Sequence, residues 1–354
     1  MKVLPILGID IAKRKFDVCL RPAPTVAGAR HNATFSNNLK GFRALLRWLA
    51  KQQAPCVHAC LEATSRYGDE LALFLHQHHH EVSIINPRRI RHYADSRLVR
   101  TQNDRVDAGL IADFCASEDP RRWEPMADDK RQLQDLMRAR GFFVDQKQQC
   151  ANRLETEGVH TRTHLRQLVG QLEKAIVKIE KQMAALLKEC PLLAAQVELV
   201  DSISGVGLIT AAVAVAELPP IGQFEHAGQA VAFSGLDPRR KTSGDTIATA
   251  PHQSKMGSRL LRKTLYMAAL CALRKNPVVA ALGKRLAAKG KTGKLVVGAA
   301  MRKLLRLIFG VLKNQKPFDP NWQNQSRAVD SGRRASGGDE LSSLQLAAPP
   351  VAAA

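Results

Sequence analysis

A chain of 354 residues, 45% of them hydrophobic, is too long for one small core and fits two or three domains with sizeable interiors. Its net charge of +21 and pI near 10.1 point away from basic partners and toward a polyanion, most simply nucleic acid. No apolar run reaches the ~18 residues of a membrane span, nothing resembles a signal peptide, and seven cysteines without a C-x-x-C pair exclude a disulfide framework. A soluble cytoplasmic chain with reduced, mostly buried thiols is expected.

Three short apolar runs open the chain, Val3 to Ile9, Phe16 to Leu20 and His31 to Phe35, separated by Gly, Pro and Lys clusters. They predict a three-stranded antiparallel meander. Phe42, Leu45, Leu46 and Leu49 give Leu39 to Ala50 helical spacing; Cys56 to Leu61 reads as a strand, Tyr67 to His78 as a helix and Val82 to Ile85 as a strand stopped by Asn86-Pro87. The order β-β-β-α-β-α-β-α is that of a ribonuclease H-like α/β domain. His76, His78, His79 and His80 invite a zinc reading, but no second ligand pair stands nearby, and a solvated helix end is expected. Arg88, Arg89, Arg91, Arg97 and Arg100 read equally as a basic loop along a nucleic-acid path or as a solvated linker.

Asp10 and Glu62 each end an apolar run, where a charge has no structural reason to be. Asp104 sits where an N-cap belongs, before Val106, Leu110, Ile111 and Phe114, and Asp107 follows one helical turn later. By itself the Asp104/Asp107 pair is most simply a cap and a first-turn aspartate. In the ribonuclease H-like arrangement all four carboxylates can converge, and such a group repels itself unless divalent metal is present. Mg²⁺ or Mn²⁺ prefers oxygen ligands, so the cluster predicts phosphodiester chemistry.

Gly8-Ile9-Asp10-Ile11-Ala12-Lys13, Leu61-Glu62-Ala63-Thr64, Ile85-Asn86-Pro87 and Asn103-Asp104-Arg105-Val106-Asp107-Ala108 resemble the Asp-Glu-Asp-Asp domain of a group of insertion-sequence transposases. These are recombinases guided by a bridge RNA, and their first domain is similar to RuvC-type Holliday-junction resolvases. The resemblance covers about residues 3–318 and implies residues 1–125 as the catalytic domain, with metal on Asp10, Glu62, Asp104 and Asp107.

From Asp128 to Cys190 the pattern is wholly helical, and Leu165, Leu168, Leu172, Ile176, Ile179, Met183 and Leu186 form a seam of about three heptads. Residues 126–195 are therefore expected to be a linker and oligomerisation segment, either an intermolecular coiled coil or an intramolecular hairpin. Leu199 to Gly207 followed by an Ala-rich helix through Leu218 suggests a helix-hairpin-helix, in which Gly205 and Gly207 offer N–H groups to a DNA phosphate. Where the family commonly has proline before the first glycine, this chain has Ser204.

Phe233 to Gly244 is a turn-rich loop with three cations, Arg239, Arg240 and Lys241, before a Ser-Gly pair. By its residues alone Ser243 is a turn former. The resemblance implies instead that Ser243 is a nucleophile that becomes covalently linked to DNA, with Thr242, Ser234 and Ser254 as fallbacks. Nothing adjacent is an obvious base. The carboxylates' metal is thus expected over the same phosphate, the three cations holding its oxygens, in a composite site drawn from different subunits of a tetramer.

From 241 to 316 there are seventeen Lys or Arg against one acid, Asp245. A Ser258-capped helix to Lys275 and another to about Leu312 are expected to turn Arg259, Arg262, Lys263, Arg302, Lys303 and Arg306 toward nucleic acid. The Gly290-Lys291-Thr292-Gly293-Lys294 loop lacks P-loop spacing. Residues 196–320 are the expected DNA-binding transposase domain, and the Ser/Gly/Ala/Pro-rich segment 321–354 is an expected disordered tail.

The expected function is a transposase, dimeric or tetrameric on donor and target DNA in the bacterial cytoplasm. It would cut and rejoin DNA through phosphoserine, with sites chosen by a bridge RNA on resemblance alone. The alternatives are a resolvase-type nuclease using only the carboxylates, and a non-catalytic nucleic-acid-binding protein.

Overall fold

A computed structural model describes residues 4–22, 29–63, 66–98, 104–239, 242–243, 247–248 and 252–321. Of the expected site, Arg240 and Lys241 lie outside these, and only the backbone is described at Asp104, Arg239 and Ser243. All but the first residue of the expected tail also lies outside. The chain forms two compact units, residues 1–125 and 126–354.

The first unit is a five-stranded mixed sheet with helices on both faces. β1 (Ile6–Ile11), β2 (Lys15–Arg21) and β3 (His31–Ser36) form the expected antiparallel meander, turned between β1 and β2 at Lys13-Arg14. α1 (Leu39–Lys51), capped by the Asn38 side chain on the Gly41 N–H at 3.0 Å, carries the chain over to β4 (His58–Glu62), parallel to β1. α2 (Asp69–Gln77) then crosses to β5 (Glu81–Ile85), giving the order β3-β2-β1-β4-β5. Alternation sorts the sheet's side chains. Leu7, Ile9, Phe16, Val18 and Leu61 pack with α1 and α2, while Ile6, Cys19, Cys60 and Ile85 pack with α3 (Pro87–Ser96) and α4 (Asp104–Glu118).

Two expectations are corrected here. The basic stretch after Asn86 is a helix: Asn86 accepts from the Arg88 N–H at 2.9 Å and Pro87 takes the first helical position, where its missing N–H costs nothing. Of the histidine cluster, His76, His78 and His79 are exposed at the end of α2 as expected, and His80 is the one that departs from it. His80 is 5% exposed, its Nδ1 accepts from the Val57 N–H at 3.3 Å, and burial holds its pKa below the ordinary value. Behind β4, His58 Nε2 lies 2.8 Å from Ser83 Oγ, which meets the Pro120 and Arg121 carbonyls and ties β5 to the segment leaving the sheet. All seven cysteines are free, three buried and four half-buried.

The second unit is mostly helical. α5 (Asp128–Thr156) and α6 (Val159–Glu189) form an intramolecular hairpin joined by Arg140–Glu180 at 2.8 Å and Lys147–Glu173 at 3.3 Å. The expected seam is buried from Ile176 to Leu186, and its Met183 and Leu186 share a core with α7 (Pro191–Asp201), α8 (Leu208–Glu217), α10 (Arg259–Lys275) and α12 (Gly293–Asn314). At that base Arg138 makes a two-pronged bond to the buried Glu217 at 2.7 and 3.2 Å. Farther out, Phe142, Leu168 and Val177 are exposed.

α9 (Ala227–Phe233) and α11 (Pro277–Ala288) complete the set of twelve helices among the described residues. Ser258 caps α10 as expected, accepting from the Leu261 N–H at 3.1 Å. Between α9 and α10 the segment read as a loop is instead a pair of nested antiparallel ribbons. β6 (Pro238–Arg239) pairs with β9 (His252–Gln253), and within them β7 (Thr242–Ser243) pairs with β8 (Ile247–Ala248). Strands of two residues leave no alternation to read in a sequence. No single helix among the described residues is long and apolar enough to cross a membrane.

Candidate active site

Sheet register brings the first two carboxylates together. β1 pairs in parallel with β4 through Ile9 opposite Leu61, and one further step sets Asp10 beside Glu62. Both stand on the α4 face, since Gly8, two residues before Asp10, meets α4. A Cβ at Gly8 would lie 2.1 Å from the Ala108 carbonyl oxygen and 2.4 Å from the Ala112 nitrogen. The absent side chain is what lets α4 lie against β1 and delivers Asp107, the residue before Ala108.

Asp107 is electrostatically coupled to Glu62. Burial and then the Asp107 charge hold the Glu62 carboxyl above its ordinary range, with Arg91 opposing. Asp10, Glu62 and Asp107 are all half-buried. Asp104 is the first residue of α4 rather than the residue before it, and the three-residue spacing puts it on the same side of the helix as Asp107.

A fifth carboxylate, missed in the sequence, completes the row. The β1–β2 register pairs Asp10 directly with Asp17, and the β2–β3 register pairs Asp17 with Thr34. Asp17 is 7% exposed, accepts from Thr34 Oγ1, and lies 3.2 Å from Lys15 Nζ. Like charges directly opposite one another weaken a sheet, so Asp10 and Asp17 side by side mark a place built for something other than stability. The signal was present: Phe16, Val18 and Leu20 share one face, leaving Asp17 on the other, and a two-residue turn at Lys13-Arg14 fixes its partner as Asp10.

The donor chemistry fits a hard divalent cation, being all oxygen and carrying mutual repulsion that a cation relieves. Among the described residues no three His, Cys, Asp or Glu side chains already stand in metal-holding geometry; the Asp104 side chain is not one of those described. Arg88, Arg89 and Arg91 are exposed on α3, with the Arg89 guanidinium 5.0 Å from the Phe114 ring centre and 3.9 Å from Glu118.

In the second unit Ser243 lies on β7, opposite Ile247. Ser234 is fully buried with its hydroxyl donating to the Ala230 carbonyl at 2.9 Å, which removes it as a fallback nucleophile. The expected phosphate turn divides its labour. Gly205, at φ +97°, packs so tightly on α10 that a Cβ would lie 2.6 Å from the Ala272 Cα, whereas Gly207 has open space around it and precedes α8. Gly205 is thus required for packing on α10, and Gly207 leaves the N-terminus of α8 open.

Three of the expected nucleic-acid cations also have partners within the chain. Arg262 donates to the Ser234 carbonyl at 3.1 Å, Lys263 pairs with Asp145, and Arg302 lies 3.6 Å from Asp237. Arg259 is exposed; Lys303 is half-buried, and burial with Arg306 and Arg285 nearby holds its pKa low.

Residues 7–157 match a transposase domain of the DEDD type from IS110 elements, and residues 197–284 match the transposase IS116/IS110/IS902 family. The chain is 32% identical over 316 residues to the pilin gene-inverting proteins of Moraxella bovis and Moraxella lacunata, covering 88% of this chain and 97% of each relative. It is also 24% identical over 312 residues to the transposase for insertion sequence element IS1111A of Coxiella burnetii, covering 77% of this chain and 79% of that protein.

Proposed function

The chain belongs to the IS110 family of DNA transposases and recombinases, and from that premise we propose that it cuts and rejoins DNA through a covalent phosphoserine at Ser243. The observation that carries the reading is the meeting of Asp10, Glu62 and Asp107 on one face of the sheet beneath α4. The strand order and two-faced helical cover support a RuvC-like, ribonuclease H-type domain.

DEDD transposase domains are in general divalent-metal dependent. Asp10, Glu62, Asp104 and Asp107 would hold Mg²⁺ or Mn²⁺, which when bound would supply Lewis-acid stabilisation of negative charge on a phosphate. The Ser243 hydroxyl gives up its proton and its oxygen bonds to phosphorus as one ester bond of the DNA backbone breaks. The released sugar oxygen takes up a proton, and rejoining reverses these steps at a new partner strand. Arg239, Arg240 and Lys241, next to Ser243 in the chain, neutralise phosphate oxygens. Arg91, which faces Glu62 electrostatically, belongs to the nucleic-acid path with Arg88 and Arg89.

Site choice by a bridge RNA, and a dimer or tetramer in which one subunit's carboxylates serve another's serine, complete the reading. The exposed Phe142, Leu168 and Val177 support contact between hairpins of two subunits. A second reading, inversion of a DNA segment between fixed sites, is favoured by the name of the Moraxella relatives and uses the same chemistry.

The test is incubation of protein, Mg²⁺ and element-derived RNA with labelled donor and target DNA, followed by denaturing gels with and without protease. A protease-sensitive adduct that Ser243→Ala abolishes is expected. Cleaved ends without an adduct, unchanged by Ser243→Ala, would instead identify a carboxylate-only nuclease.

A further inference from the structure

A second feature of the first unit is absorbed by none of this chemistry. Two adjoining cavities, about 490 and 350 Å³, share Arg30, Leu110 and Asp113 and form one groove along α4. It starts at Val106, next to Asp107, and ends at Ser117, a run of about 17 Å at the helical rise. Its charge is lopsided. Among the described residues Arg21, Arg30 and Arg97 line it against a single acid, Asp113.

One oxygen of Asp113 takes both Arg21 Nη1 at 3.2 Å and Arg30 Nη2 at 2.9 Å. A guanidinium has five N–H donors, so this bond orients each arginine and leaves most of its donors for a ligand. At the far end the Arg97 guanidinium lies 5.2 Å from the Tyr93 ring centre, and Ser117 Oγ reaches Tyr93 Oη at 3.3 Å. The floor between, at Leu110 and Ala116, is apolar.

We infer that this groove holds an unpaired nucleotide of a nucleic-acid strand, its phosphate on Arg21 and Arg30 and its base against the Arg97–Tyr93 stack. Forked guanidiniums suit a phosphodiester, a planar cation on an aromatic ring suits a base face, and 490 Å³ is of small-molecule size, too small for a duplex. The assignment rests on the proposed function only in that a strand held here runs toward Asp107.

The test is fluorescence anisotropy of the full chain, in EDTA, with labelled single-stranded DNA, single-stranded RNA and duplex DNA over a salt series. Arg30→Ala is expected to weaken single-strand binding about tenfold. It should also reduce the slope of log K against log salt by about 0.7. Arg97→Glu should weaken it likewise, Asp113→Asn should leave it equal or tighter, and duplex affinity should change less than twofold in all three. A preference for RNA would place a guide strand in the groove, and a preference for DNA an unpaired donor or target strand; both support the assignment. Wild-type binding by Arg30→Ala and Arg97→Glu, or an equal loss on duplex, overturns it. Because EDTA silences the carboxylates, failure of the phosphoserine reading leaves this result standing, and the reverse also holds.

Discussion

The carboxylates and the serine are set on scaffolds of opposite kind. Asp10 and Glu62 occupy the two central strands of a five-stranded sheet, so their separation follows from ladders running on both sides. Ser243 occupies a strand of two residues whose ladder consists of two pairs. A site on central strands is placed before any substrate arrives, and the burial and repulsion it stores are the cost of that placement. The proposed nucleophile stands instead on a ribbon with two described pairs, Thr242–Ala248 and Ser243–Ile247. On the proposed function the labour is divided, with the carboxylates on a regular sheet in one unit and the serine on a short ribbon in the other.

The largest expected effect breaks the rigid half. Gly8→Ala drives a methyl group into the α4 backbone, and should destabilise the first unit by about 3 kcal/mol or more. A two-transition thermal melt should show the first unit alone moving down; equal shifts in both would deny that the two are built separately.

Next comes loss of charge. Asp10→Ala should lower the adduct-forming rate by about 10³-fold with DNA binding intact, since metal-assisted charge stabilisation is worth several kcal/mol. Asp17→Asn should cost less, and should raise the Mg²⁺ concentration for half-maximal rate; a Mg²⁺ titration unmoved by it would return Asp17 to a purely structural role.

In the second unit, Arg138→Ala leaves Glu217 buried without its fork and should cost about 1–2 kcal/mol in denaturant melts, discounted because Arg138 is 44% exposed.

The smallest effect tests stored repulsion. Glu62 titrates above its unfolded value, so its favourable contribution is present below the ordinary carboxylate range and lost as pH rises through the folded value. Metal-free Glu62→Gln should therefore melt ~2 °C higher than wild type at pH 8, the difference vanishing near pH 4. A melt lowered at pH 8 would contradict the repulsion.

What could be read from the sequence follows the same division. Strands long enough to alternate, the caps at Asn38 and Ser258, and carboxylates at strand ends were all visible, because each is written in neighbouring residues. α3 was hidden because Asn86-Pro87 was taken as a stop when it is also a cap and a first turn. The burial of His80 is not legible because its partner, the Val57 N–H, comes from just before the neighbouring strand β4, distant in sequence. Asp17 required the hairpin register, and the ribbon around Ser243 has strands too short to show a period. The cations Arg262, Lys263 and Arg302 were legible as charges, but their partners Ser234, Asp145 and Asp237 are set by tertiary packing.

The most direct test of a composite site mixes two inert proteins. Asp10→Ala lacks the metal-binding half and Ser243→Ala lacks the nucleophile, so neither alone should form the protein–DNA adduct. Combined on donor and target DNA with Mg²⁺ and the element's RNA, they should restore it, carried only by the chain that retains Ser243. If both variants bind DNA as wild type does and the mixture still yields no adduct, the carboxylates of one subunit do not serve the serine of another, and the account fails at its centre.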